Sequence, residues 1–162
     1  SDIDVGLLQE TKCRDDQFPL EDFQSAGYDV FHWGINQWNG VAIVSRLGLH
    51  DGQQGFVGMP GFDKNGKDPR PEARAVSATV GNTRVWSVYV PNGRGLDDPH
   101  MTYKLEWLDA LGHAMRDDSL AHPDRDVVIG GDFNIAPEPS DVGDPDFVEG
   151  VSTHISPTER ST

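Results

Sequence analysis

Glu10, Asp132 and Asn134 each stand just past an apolar run, and their types suit the handling of a cation and an anionic substrate. In Leu7-Leu8-Gln9-Glu10-Thr11-Lys12 a carboxylate emerges from a buried-type strand. A carboxylate there is costly unless it is paired or bound to a metal. Two readings follow: an ion pair with Lys12, or a metal ligand. In Ile129-Gly130-Gly131-Asp132-Phe133-Asn134 two glycines allow a sharp turn. Asp132 and Asn134, two apart in extended chain, project to the same side. Together they offer oxygen ligands and an amide donor, or else an Asx turn that only closes a loop. In Val88-Tyr89-Val90-Pro91-Asn92-Gly93-Arg94-Gly95 a phenol ends a strand, and a glycine-rich loop follows with Arg94 free to reach a phosphate. The plainer reading is a core aromatic before an ordinary turn.

These side chains need a scaffold. Ile3–Leu8, Tyr28–Trp33 and Val41–Arg46 read as strands, the last two separated by the polar turn Gly34–Gly40. Pro19 opens a short helix that runs to Ala26 and stops at Gly27. Gly48 to Pro71 reads as a surface loop holding a short strand at Gln54–Gly58. Ala73–Val80 and Arg84–Val90 form a hairpin around Gly81-Asn82. Asp98-Pro99 starts a long helix ending near Asp118, with Tyr103, Trp107, Leu108, Leu111 and Met115 on its apolar side and Lys104, Glu106, Asp109 and Arg116 toward water. Asp126–Gly131 reads as a central strand. Ser156-Pro157-Thr158-Glu159 is a capping box that opens a helix. Strand carboxyl ends are where α/β sheets collect ligands, and Glu10, Tyr89 and Asp132 all occupy such ends.

The 162 residues suit one domain with a real core. A net charge of −14 argues against a broadly basic nucleic-acid surface, though not against a local groove. No apolar run approaches the roughly 18 residues of a membrane span. The single cysteine, Cys13, excludes an internal disulfide and a cysteine zinc cage. With no secretory signal, a reducing cytoplasm is expected.

Taken in order, Leu7–Cys13 (L-L-Q-E-T-K-C), Trp38–Arg46, Pro71–Ala78 (P-E-A-R-A-V-S-A), Val88–Gly93 (V-Y-V-P-N-G), Gly130–Pro137 (G-G-D-F-N-I-A-P) and Ser156–Arg160 (S-P-T-E-R) resemble the exonuclease III family of DNA-repair nucleases, within the endonuclease/exonuclease/phosphatase superfamily. The resemblance spans essentially the whole chain. It implies an α/β fold, a four-layer sandwich of two facing mixed β-sheets flanked by helices, present here as an incomplete portion. It implies that Glu10 holds Mg²⁺ or Mn²⁺, with Asp132 and Asn134 beside the metal. Asp132 would handle the proton of the attacking water, Asn134 would orient the nucleophile, and Tyr89 would hydrogen-bond the phosphate. Lys12, Trp38, Arg74, Asn92 and Arg94 fall where relatives contact DNA.

The implied activity is Mg²⁺-dependent hydrolysis of DNA phosphodiesters, as 3′→5′ exonuclease and abasic-site endonuclease. The implied partner is double-stranded DNA with abasic sites or 3′ ends, with no membrane involved and the chain a monomer. Two alternatives stay open: a phosphodiesterase or phosphatase of the same superfamily with another substrate, and a catalytically incomplete DNA-binding fragment. Relatives also carry an N-terminal strand with an asparagine, and later segments with a second catalytic aspartate and an Asp-His pair. Residues 1–162 are therefore read as a partial domain, expected to be inactive when isolated. None of the six histidines lies in the family's contexts, and His154 is expected in a surface loop.

Overall fold

A computed structural model of the chain describes residues 3–63, 65–143 and 152–162. Two sheets form its centre. The first holds β1 (Val5–Gln9), β2 (Asp29–Trp33) and β3 (Val41–Ser45), antiparallel throughout in the order β1-β3-β2. The second holds β4 (His50–Gln54), β5 (Ala75–Val80), β6 (Thr83–Tyr89) and β7 (Asp126–Asp132) in that order. It is mixed: β4, β5 and β6 are antiparallel, and β6 runs parallel to β7. The helices are α1 (Leu20–Ser25), α2 (Pro99–Ala121) and the short α3 (Pro157–Ser161).

The alternation along β6 explains the layering. Side chains two apart share a sheet face. Val85 joins Val41, Ile43, Val76 and Ala78 in the core between the sheets, with Leu7 and Phe31 packed against it. Ser87 points the same way, and its hydroxyl donates to Leu8 O at 3.2 Å while accepting from Gln9 Nε2 at 3.0 Å. Trp86 and Val88 point the other way, onto Tyr103, Trp107 and Leu111 of α2. On the far side of the first sheet, Phe18 stacks on Phe23 of α1 and on His32 of β2. The layers run α1, sheet, sheet, α2, which is the expected four-layer sandwich.

Most expected elements appear within a residue or two. The hairpin turns at Gly81 (φ +58°), and α2 extends three residues past Asp118, to Ala121. Three expectations change. The strand expected at Gln54–Gly58 lies earlier, at His50–Gln54. Its residues are all exposed and polar, so hydrophobic pattern could not reveal it; it exists because the edge of β5 offers backbone pairing at Val76, Ser77 and Thr79. β7 pairs only with β6 among the described residues and leaves Val128 half exposed, so here it is an edge strand. Lys104 does not face water: it is fully buried, paired with Glu159. Among the described residues no helix is long and apolar enough to cross a membrane.

Candidate active site

Three strand ends converge. Just beyond β1, Glu10 and Lys12 both adopt left-handed backbone (φ +53° and +52°), uncommon for residues with a Cβ. The bend is held from below. Thr11 N donates to Gly40 O at 3.2 Å, and Lys12 N to Asn39 O at 2.9 Å. Thr11 Oγ1 meets His32 Nε2 at 2.8 Å. Gly40 (φ +93°) must be glycine, because a Cβ there would lie 2.1 Å from Thr11 Oγ1. The bend leaves the Glu10 carboxylate exposed, 2.5 Å from Lys12 Nζ and accepting from Tyr89 Oη at 2.8 Å. Hydrogen bonds from Lys12 and Tyr89 hold its pKa below the usual range despite some desolvation.

Tyr89 ends β6 and faces Asp132 at the end of β7 across the parallel ladder. Burial, then the hydrogen bond and charge of Glu10, push its phenol up to about 12, and Asp132 adds to the shift. Tyr89 therefore keeps its proton at neutral pH and acts as a hydrogen-bond donor. Its ring lies under the Arg74 guanidinium, 4.9 Å from the centroid. Arg74 is fixed by Glu72 Oε2 at 2.6 Å and by donation to Tyr89 O at 3.2 Å.

Near the end of β7, Gly131 (φ +146°) packs so close to β6 that a Cβ would lie 2.0 Å from Val88 O. Asp132 Oδ1 accepts from Asn134 N at 2.9 Å, the Asx turn read from the sequence. That does not use up the pair, since Asp132 stays exposed. Asn134 (φ +51°) donates from Nδ2 to Val90 O at 2.9 Å, and its Oδ1 accepts from Asn92 Nδ2 at 3.2 Å. Asn92 Oδ1 in turn accepts from Arg94 N at 3.1 Å. Arg94 is exposed on the same loop. Trp38, 64% exposed, sits in the 34–40 turn that supports Thr11 and Lys12. Glu10, Lys12, Arg74 and Tyr89 thus form one contact group, and Asn92, Asp132 and Asn134 another. The register of β6 on β7 joins the two.

Three residues missed by the sequence reading close the site from behind. Lys104 donates to Asn134 O at 2.6 Å and forms its ion pair with Glu159. Burial works to raise the Glu159 carboxyl. Hydrogen bonds from Lys104, Ser156 and the His154 amide overcome it and hold the group below its usual range. His154 is half-buried in its turn rather than freely exposed: its Nε2 lies 3.1 Å from both Asn134 Oδ1 and Asn92 Nδ2. A signal for Lys104 was present, because it sits inside the apolar stripe, three residues after Met101 and three before Trp107. His154 carried only its nearness to the capping box. An open cavity of about 480 Å³ adjoins this network, lined by Asp132, Phe133, Asn134, Ile135, Asp141 and His154 among others.

Among the described residues, no three His, Cys, Asp or Glu side chains gather as a metal cage. The donors present are an ionised, exposed Glu10 carboxylate and an exposed Asp132. Such a set suits a hard divalent cation, which takes oxygen ligands from carboxylates, waters and substrate phosphate.

The profile of the Endonuclease/Exonuclease/phosphatase family matches residues 1–158. The chain is 29% identical over 146 residues to exodeoxyribonuclease III of Haemophilus influenzae, covering 86% of this chain and 51% of the relative. It is likewise 29% identical over 147 residues to an exodeoxyribonuclease of Bacillus subtilis, covering 89% and 52%. The chain thus spans about half the length of these curated relatives. Among solved structures, a 3′ phosphatase, NExo, from Neisseria bound to product DNA hairpin superposes with a TM-score of 0.84 at 37% identity, over 98% of this chain and 57% of that one. An AP endonuclease from Archaeoglobus fulgidus gives 0.78 at 32% identity, again over 98% and 57%. Strand order, converging strand ends and family match agree: the chain belongs to the endonuclease/exonuclease/phosphatase family, as an exonuclease III-like member.

Proposed function

We propose that the protein carrying this chain hydrolyses DNA phosphodiesters with a divalent metal, as a 3′→5′ exonuclease and abasic-site endonuclease. The observation that carries the reading is the meeting of Glu10, Tyr89 and Asp132 at neighbouring strand ends, with Tyr89 Oη on Glu10 and Tyr89 level with Asp132. The names of relatives, an exodeoxyribonuclease III and an AP endonuclease among them, support DNA as the substrate class. The relative described as a 3′ phosphatase bound to a DNA hairpin favours adding 3′-phosphorylated ends to the substrates.

In this reading the Tyr89 hydroxyl, protonated at neutral pH, donates to a non-bridging phosphoryl oxygen. Asp132 accepts the proton of the attacking water. Asn134 orients that water or steadies the phosphoryl group. Arg74, Asn92, Arg94 and Lys12 bind backbone phosphates, and exposed Trp38 contacts the duplex. Glu10, Asp132 and Asn134 supply the oxygen ligands for Mg²⁺ or Mn²⁺. When bound, the ion supplies neutralising charge at the phosphate and at the leaving oxygen. The protein is expected to act as a monomer in the cytoplasm.

The test, run on the full-length protein that carries this chain, compares duplex DNA bearing an abasic analogue, duplex with a recessed 3′ end, and an inositol phosphate, each with Mg²⁺ and with EDTA. Incision of the DNA substrates that EDTA abolishes is expected. Turnover of the inositol phosphate alone would overturn the proposal in favour of a phosphatase. DNA binding without turnover in either condition would overturn it in favour of a non-catalytic DNA-binding piece.

A further inference from the structure

The Asn134 amide is held on both ends. Nδ2 faces the Val90 carbonyl at 2.9 Å, while Oδ1 faces two nitrogens, Asn92 Nδ2 at 3.2 Å and His154 Nε2 at 3.1 Å. A flipped amide would set its oxygen against a carbonyl and its NH₂ against another NH₂. Nε2 also lies 3.1 Å from Asn92 Nδ2, so it sits between a donor and the Asn134 acceptor, and the Nε2–H tautomer is the one that serves Asn134. A lone pair on Nε2 would face the lone pairs of Asn134 Oδ1, whereas an Nε2–H donates to them. Nδ1 then accepts from the Thr153 hydroxyl at 3.1 Å.

His154 is held in turn. Its amide donates to Glu159 Oε1 at 2.9 Å, and its carbonyl accepts from Ala136 N at 2.7 Å. Glu159 pairs with buried Lys104, and Lys104 donates to Asn134 O. The ring of contacts therefore closes: Asn134, Lys104, Glu159, His154 and back to Asn134. It joins α2, α3 and the segment after β7.

We propose that His154 is a positioning residue that fixes the Asn134 carboxamide with its oxygen inward and one N–H free toward the phosphate. This deepens the proposed nuclease reading and rests on it for its consequence. It revises one part of that reading: with its Oδ1 turned to Asn92 and His154, Asn134 serves the substrate as a donor and the metal ligands narrow to Glu10 and Asp132. With one N–H on Val90 O, the second is the group Asn134 can offer outward.

The test pairs His154→Ala with His154→Gln in the purified protein, since a glutamine amide can place an N–H near the Nε2 position. Below the melting temperature of each variant, His154→Ala is expected to lower kcat on an abasic duplex about 10- to 100-fold, as for a misplaced catalytic group. KM should stay within about twofold, and His154→Gln should recover most of the rate. A purely structural role would lower Tm and leave kcat alone, and that result overturns the proposal. So does an alanine variant as active as wild type, or a glutamine variant no better than alanine. A second readout does not need turnover: the side-chain ¹⁵NH₂ resonance of Asn134, assigned by its loss in Asn134→Asp. It should shift in His154→Ala and return toward wild type in His154→Gln. An unmoved signal overturns the positioning role. A signal that moves as expected in a protein that cleaves no DNA supports the positioning and rejects the nuclease reading instead.

Discussion

Tyr89 Oη donates to Glu10 Oε1 at 2.8 Å, bridging residues 79 apart in sequence, one just past β1 of the first sheet and one at the end of β6 in the second. Each group explains the other. Burial and then the carboxylate keep the phenol protonated, and Lys12 and then the phenol keep the carboxylate ionised. The contact ties the edge where Glu10 stands to the strand that is level with Asp132.

Removing the phenol hydroxyl should therefore affect activity more than stability. Tyr89→Phe should cost about 1 kcal/mol of stability or less, the net worth of one hydrogen bond. DNA incision should fall by about 10²-fold or more, the cost of losing a positioned donor to developing charge. Urea unfolding beside the incision assay checks both. There is also an alkaline signature. The phenol ionises near 10 when unfolded and near 12 when folded, so above the lower value the unfolded chain loses its proton first and stability falls with rising pH. Tyr89→Phe should flatten that part of the pH–stability curve.

Asp132→Asn should bind DNA with near wild-type affinity and lose turnover by about 10²–10⁴-fold, as expected for loss of a positioned general base. Asparagine retains an oxygen able to accept from Asn134 N, so the turn survives. Gel-shift binding together with single-turnover kinetics makes the comparison. A variant that turns over at the wild-type rate would reject the assignment.

Lys104→Met leaves the buried Glu159 carboxylate without its cation, which should cost about 3–5 kcal/mol. Adding Glu159→Gln to that variant removes the stranded charge and should recover part of the loss. The double mutant should then be more stable than Lys104→Met alone, measured as the urea midpoint. If the two losses simply add, the pair is not coupled in the folded protein.

Acid should act through the same carboxylate. Glu159 lies below its ordinary value of 4.5 in the folded chain. As pH falls past that value the unfolded state takes up protons first, so stability rises with pH and is lost on acidification. Glu159→Gln should reduce the slope of stability against pH below 4.5. A residual slope of the same sign should remain, because Glu10 is shifted in the same direction.

Where pattern is local, the chain declares itself. The alternation of β5 and β6 around Gly81, the apolar run of β3, the Asp98-Pro99 start of α2 and the Ser156 capping box each follow from neighbours a few residues apart. So do the candidates Glu10, Tyr89, Asp132 and Asn134, because each closes or follows a strand, and the ends of strands are readable. β4 was not legible: it is wholly polar and owes its conformation to the edge of β5.

What the amino-acid order determined alone is which side chains come to strand ends and which faces are apolar. Helical spacing set Lys104 in the apolar stripe of α2, but only the tertiary structure decided what its charge meets there, since its partner Glu159 lies 55 residues away. The same holds for His154, whose backbone is held by Glu159 and Ala136 and whose ring partner Asn134 lies 20 residues back. The physical reason is one of range. Hydrophobic period and capping act over a turn or a strand, whereas a buried charge or an oriented amide is settled by whichever distant group satisfies it.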